Sequence, residues 1–266
     1  MKIRSHFTFS QFSLAALFFF LSFVPVADAA EPVLKFGGPL FPPYFEVQDD
    51  TPVGGAVPLL TSIIRGAGFT PRIEVQPAVR LLQKLEDGEV DMAMLVRNDN
   101  LDTLGKYIRS PLPIWEVVLN LYSHARPVEV RSREDLRGKQ IAVIRGYGYG
   151  GLRDWMALPE NNILLTEVYS PEVALRVVSH GRVPYALLYE DAYQVALREL
   201  RESLPNIALN GFQRVPSYLY LHRRAAPDPE ARMDAMMAAY RALVLKGEMA
   251  RLPGQETFLE TGALPR

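Results

Sequence analysis

From Val33 onward the sequence alternates short apolar runs with amphipathic stretches, and this alternation confines the chain to the α/β class. Val33–Phe36, Arg72–Val75, Val90–Val96, Gln140–Ile144, Ile163–Val168, Tyr185–Tyr189 and Ser217–Leu221 read as strands, and Ile114–Tyr122 is a longer apolar run. The intervening segments have helical periodicity: Val57–Ala67, Ala78–Asp87, Leu152–Ala157, Pro171–Ser179, Asp191–Leu204 and Asp228–Lys246. Punctuation supports these bounds. Gly68 and Gly88 follow two of the helices, Ser170-Pro171 supplies a cap and a proline at a helix start, and Ser132 caps a short helix to Leu136.

The first thirty residues carry a different pattern. Lys2, Arg4 and His6 precede an almost wholly apolar run from Phe12 to Val26, and Ala27-Asp28-Ala29 places small side chains at the −3 and −1 positions of a signal-peptidase site. Pro25 and Asp28 cut the run short of the roughly 20 apolar residues that span a bilayer. A cleaved export signal over residues 1–29 is expected, with the mature chain starting near Ala30 in the periplasm. Loss of Lys2, Arg4 and Asp28 leaves 27 basic and 29 acidic side chains. That balance argues against a nucleic-acid partner, which requires a basic face. With no cysteine, the chain forms no disulfide, has no thiol nucleophile and carries no acylated N-terminal cysteine, so it is not expected to be a lipoprotein.

The mature sequence divides into two βαβ-rich blocks and a return segment. The segments near Val117–Tyr122 and Tyr218–Leu221 read as connections between them, so a hinged body of two lobes with a cleft is expected. Phe41-Pro42-Pro43-Tyr44, followed by Val53-Gly54-Gly55-Ala56-Val57 at a helix start, resembles the opening of a family 3 (amino-acid-type) periplasmic solute-binding protein. Arg80 through Leu85-Glu86-Asp87-Gly88-Glu89-Val90-Asp91, Thr103 to Ser110-Pro111, Asp135-Leu136-Arg137-Gly138-Lys139 and Gly181-Arg182-Val183 continue the resemblance in order. It implies the type II periplasmic-binding-protein fold, in which each lobe is a mixed sheet flanked by helices and two hinge crossovers join the lobes. Residues 30–121 and 217–266 would form lobe 1, and residues 122–216 lobe 2. It also implies capture of an amino-acid-like solute by lobe closure for an ABC importer. A membrane sensor that reads closure is the alternative partner, a dehydratase-type enzyme on the same fold is a further reading, and a monomer is expected.

The resemblance also nominates ligand contacts. Tyr44 stands where a packing aromatic belongs. Thr103-Leu104-Gly105-Lys106 occupies the place of a Thr-x-x-Arg carboxylate clamp, with lysine replacing the two-pronged guanidinium. Arg80 opens a helix directly after a strand and is a second candidate for the anion. The position for an ammonium-binding acid falls on Tyr189, so Glu190 or Asp191 would have to serve, unless both simply favour a helix N-terminus.

Gly146-Tyr147-Gly148-Tyr149-Gly150-Gly151 fits G-x-G-x-x-G, and Glu167 follows at the spacing of a dinucleotide fingerprint. Two tyrosines crowd the turn, however, and an exported protein meets no dependable NAD pool, so no cofactor is expected. Gly146, Tyr147 and Gly148 read instead as ligand contacts from the second block, with backbone N–H groups suited to an anion. No catalytic residue and no metal site are expected. His124, His180 and His222 lack metal-ligand spacing, and no G-x-S-x-G elbow occurs.

Overall fold

A computed structural model describes residues 31–200, 204 and 206–265 of the chain. The expected export signal lies outside the described residues, as does part of the stretch after Leu200. Among the described residues no helix is long and apolar enough to cross a membrane.

The elements follow in chain order as β1 (Val33–Pro39), β2 (Glu46–Gln48), β3 (Thr51–Val53), α1 (Ala56–Gly66), β4 (Thr70–Gln76), α2 (Ala78–Glu86), β5 (Met92–Val96), α3 (Asp99–Thr103), β6 (Tyr107–Arg109) and β7 (Trp115–His124). They continue as β8 (Gln140–Ile144), α4 (Leu152–Ala157), β9 (Leu164–Val168), α5 (Pro171–Ser179), β10 (Tyr185–Tyr189), α6 (Glu190–Leu200), β11 (Ile207–His222), α7 (Pro229–Leu245) and α8 (Glu256–Thr261). Short 3₁₀ turns punctuate the loops, including Arg133–Leu136 behind its Ser132 cap.

One mixed sheet runs β4-β1-β5-β11-β7-β10-β8-β9, with β6 also paired to β11. At one end β4, β1 and β5 are parallel and β11 closes the group antiparallel, through Ser217–Leu221 against Met92–Val96. At the other end β9, β8 and β10 are parallel, and β7 closes that group antiparallel through Leu119–Ser123. The two groups meet where β7 and β11 pair with each other over most of their length, from Ile207 opposite His124 to Ser217 opposite Trp115. These two long strands are the crossovers of a two-lobe α/β body.

Periodicity explains the packing. Ala56, Leu60, Ile63 and Ile64 of α1 fall on one face and join Phe36, Met236, Met237 and Tyr240 in the first core. Ala174, Leu175 and Val178 of α5 do the same against Tyr122, Ala142 and Leu188 in the other half. Ser170 accepts from the Val173 N–H at the start of α5, and Asp228 accepts from the Ala231 N–H at the start of α7.

β11 is longer than its expected core, Ser217–Leu221. Its first part alternates around polar residues and is interrupted by an irregularity between Gly211 and Gln213, which hides it from an apolar-run reading. β2 and β3 form a hairpin around Asp49-Asp50, both with positive φ, where aspartate substitutes for the more telling Asn-Gly. Gly54 then has φ +114°, and a side chain there would collide with the Tyr44 carbonyl. That glycine lets the hairpin fold back against the loop carrying Tyr44, whose carbonyl accepts from the Ala56 N–H.

Candidate functional site

The parallel strands of both halves end at a common cavity of about 260 Å³. This is the place where open α/β sheets bind ligands, outside the carboxyl ends of their strands. Pro39, Phe41 and Tyr44 enter it from the segment after β1, Ala78 and Leu82 from α2, and Met94 to Asn98 from β5 and its end. Trp115 and Val117 of β7 and Ser217 of β11 lie behind them. The opposite wall comes from the turn after β8, with Gly146, Tyr147, Gly148, Gly151, Arg153 and Asp154, and from Tyr189 at the end of β10.

Aromatic rings dominate this cavity and bridge its two walls. Phe41 packs edge-on against Tyr147 (6.0 Å between centroids, 79°) and Tyr189 (5.3 Å, 74°), and lies 5.6 Å from Tyr44. Tyr44 in turn meets Trp115 at 5.0 Å and 75°. Edge-to-face pairs of this kind contribute about 0.5–1.5 kcal/mol each beyond area burial. Two hydrogen bonds reinforce the bridge: the Tyr44 hydroxyl donates to the Asp191 carboxylate at 2.7 Å, and the Tyr147 hydroxyl donates to the Leu40 carbonyl at 3.3 Å. Burial, then the adjacent Asp191, raises the Tyr44 phenol above its ordinary range. Burial likewise raises Tyr147 and Tyr189, so all three remain neutral donors.

The glycine motif is a folded turn. Gly146, Tyr149, Gly150 and Gly151 all have positive φ, and the helix that follows, α4, has only 6 residues. Tyr149 points inward, fully buried, and its phenol oxygen accepts from the Ile144 N–H at 2.7 Å. Glu167, the acid of the apparent fingerprint, pairs with Arg153, which also donates to the Ile144 carbonyl at 3.2 Å. The spacing that mimics a dinucleotide site is thus occupied by a structural ion pair.

Of the nine residues nominated from sequence, Tyr44, Gly146, Tyr147 and Gly148 line the cavity. Asp191 reaches it indirectly through Tyr44, and Glu190 accepts from the Asn120 side-chain amide. Arg80, Thr103 and Lys106 are exposed and do not form part of the wall. The basic residues that do are Arg97, just beyond β5, and Arg153. Arg97 stands just beyond the end of a parallel strand, the position where open α/β sheets place ligand-facing residues and one that the motif resemblance does not mark. Trp115 lines the cavity too, although it lies in an apolar run that reads as core, and Tyr189, where the resemblance places an ammonium-binding acid, lines it with an aromatic ring instead. Among the described residues no cluster of His, Cys, Asp or Glu could hold a metal ion.

Neither family models nor curated proteins match the chain. Solved structures do. A histidine kinase sensor domain with similarity to periplasmic binding proteins superposes with a TM-score of 0.65 at 19% identity, covering 82% of this chain and 93% of that one. An ancestral arginine-binding protein bound to arginine gives 0.62 at 16% identity, over 82% and 95% of the two chains. An arginine transport system periplasmic binding protein from Legionella pneumophila gives 0.59 at 18%, over 82% and 96%. With its two parallel-strand groups joined by β7 and β11, the chain has the two-lobe type II periplasmic-binding-protein fold.

Proposed function

We propose that the chain is an exported solute-binding protein of the periplasm that captures a small carboxylate-bearing metabolite by closing one lobe on the other. The observation that carries this reading is the aromatic cavity at the crossovers, lined by Phe41, Tyr44 and Trp115 on one side and by Gly146, Tyr147 and Tyr189 on the other. Ligand docks against Tyr44 and Trp115 near Arg97, and the turn holding Gly146, Tyr147 and Gly148 adds contacts available only when the walls meet. Such differential contact energy is what biases an open–closed equilibrium. The similar structures are those of binding proteins and a sensor domain, which favours capture over catalysis.

Delivery to an ABC importer is the first reading of the partner. A membrane sensor is the second, favoured by the sensor domain's TM-score of 0.65. Either use requires the same trap, acting as a monomer without a cofactor.

Thermal unfolding of the purified protein, refolded to strip carried-over ligand, against carboxylates, amino acids and polyamines tests the reading. A ligand at 100 times its Kd stabilises by about 2.7 kcal/mol. In a chain of this size that raises Tm by roughly 5–10 °C. A shift with carboxylate-bearing compounds is expected, and silence across the panel would refute ligand capture.

A further inference from the structure

Resting on the reading of the aromatic cavity as a ligand site, we propose that Tyr147 limits the length of the ligand, by walling this cavity off from a second one that a longer apolar tail would enter. The second cavity, of about 270 Å³, lies between the same two halves of the molecule. Leu40, Pro42 and Pro77 line it on one side, and Ile144, Ala192 and Val195 on the other. Its charged groups are Glu172, Glu199 and Arg145, whose guanidinium lies 5.8 Å over the Tyr169 ring. Arg145 and Glu199 are exposed, so the inner wall is mostly apolar.

Ala78 and Tyr147 line both cavities. Ala78 brings only a methyl group to this shared boundary, so the phenol ring of Tyr147 makes up most of the partition. Contacts from both halves fix that ring. Phe41 meets it edge-on at 6.0 Å, Tyr149 meets it edge-on at 6.0 Å, and Tyr189 lies tilted against it at 5.8 Å. Its hydroxyl donates to the carbonyl of Leu40, which itself borders the second cavity. The backbone beside it leaves no way round: a Cβ at Gly146 would lie 2.5 Å from Val79 Cγ2, so the turn abuts the start of α2 next to Ala78. A ring packed against three others swings aside only by giving up those contacts.

The partition has a measurable consequence. While a straight apolar tail extends along the aromatic wall, each added methylene leaves water and should tighten binding about 4-fold. Once the tail reaches Tyr147, a further methylene must displace a packed ring and brings no gain. Removing the ring joins the two cavities, and the gain per methylene then continues into the space between Leu40 and Val195.

Isothermal titration of the refolded protein with straight-chain carboxylates from butanoate to decanoate, and with the matching α-amino acids, tests the inference. The two series share their tails and differ in the ammonium group, so the outcome does not depend on which head group the cavity takes. In the parent, affinity is expected to rise with tail length and then level off. In Tyr147→Ala it should go on rising past that limit, by about 4-fold for each further methylene. Tyr147→Leu retains more of the packing and shortens the wall, so its limit should also move to longer tails, which secures the test if the alanine variant folds poorly. An unchanged limit in both variants, even with weaker binding throughout, would reduce Tyr147 to a simple contact and overturn the inference. So would a parent whose affinity climbs through the longest tail. If neither series binds parent or variants while the thermal panel responds to other compounds, the length limit falls and the ligand trap stands. Failure of both series together with a silent panel would remove the site itself.

Discussion

At the scale of single residues, the tyrosines of the glycine-rich turn divide their roles. Tyr147 faces the cavity, whereas Tyr149 turns into the core and satisfies the Ile144 N–H at the end of β8. Tyr149→Phe keeps the ring and removes the acceptor, leaving that buried N–H without its partner. A loss of about 1–3 kcal/mol in unfolding free energy is expected, read by urea denaturation. An unchanged midpoint would mean that the turn is not held by this bond. Tyr44 was nominated from sequence and lines the cavity, but its hydrogen bond to Asp191 was not legible there. The partners are 147 positions apart, and only the folded topology brings them together.

At the scale of elements, the strands and helices were legible because their periodicities differ and their ends carry glycine, proline and capping residues. What stayed hidden was structure set by pairing rather than by local pattern. The first half of β11 gains its strand character from β7, which runs opposite it from His124 to Trp115. The β2–β3 hairpin depends on two aspartates in left-handed conformations, which apolar patterning does not register. At the far end of β11, His222 caps the 3₁₀ turn Arg223–Ala225 by accepting from the Arg224 N–H at 3.0 Å through Nδ1. Burial, then the charge of Arg224, lowers its pKa; Asp91 opposes them in part, and Lys106 adds the smallest lowering. The folded state therefore binds this proton less readily than the unfolded chain, whose histidine titrates near about 6.5. Stability should hold above that pH and fall as pH drops through it, because the unfolded state then takes up more protons. His222→Asn retains a capping acceptor and lacks the titration, so its Tm should decline less than the parent's between pH 7 and pH 5. Parallel declines would assign the acid sensitivity elsewhere.

At the scale of the whole molecule, β7 and β11 join two groups of parallel strands, and an aromatic cluster spans the gap between their carboxyl ends. The two-lobe fold was readable because its strand and helix order persists in the sequence; the solved structures match it at only 16–19% identity. The site was readable only in part. The glycine turn and Tyr44 are local motifs, whereas Arg97, Trp115 and Tyr189 become neighbours through strand order alone. The contacts of Phe41 and Tyr44 with Tyr147, Tyr189 and Asp191 are also the contacts that a closing motion would make and break. The most direct test is small-angle X-ray scattering of the purified protein with and without the compound that raises Tm most. Ligand capture by closure predicts a smaller radius of gyration on binding and a weaker contraction in Tyr44→Phe. A scattering profile unchanged at saturation, in parent and variant alike, would contradict closure and leave a rigid binding pocket in its place.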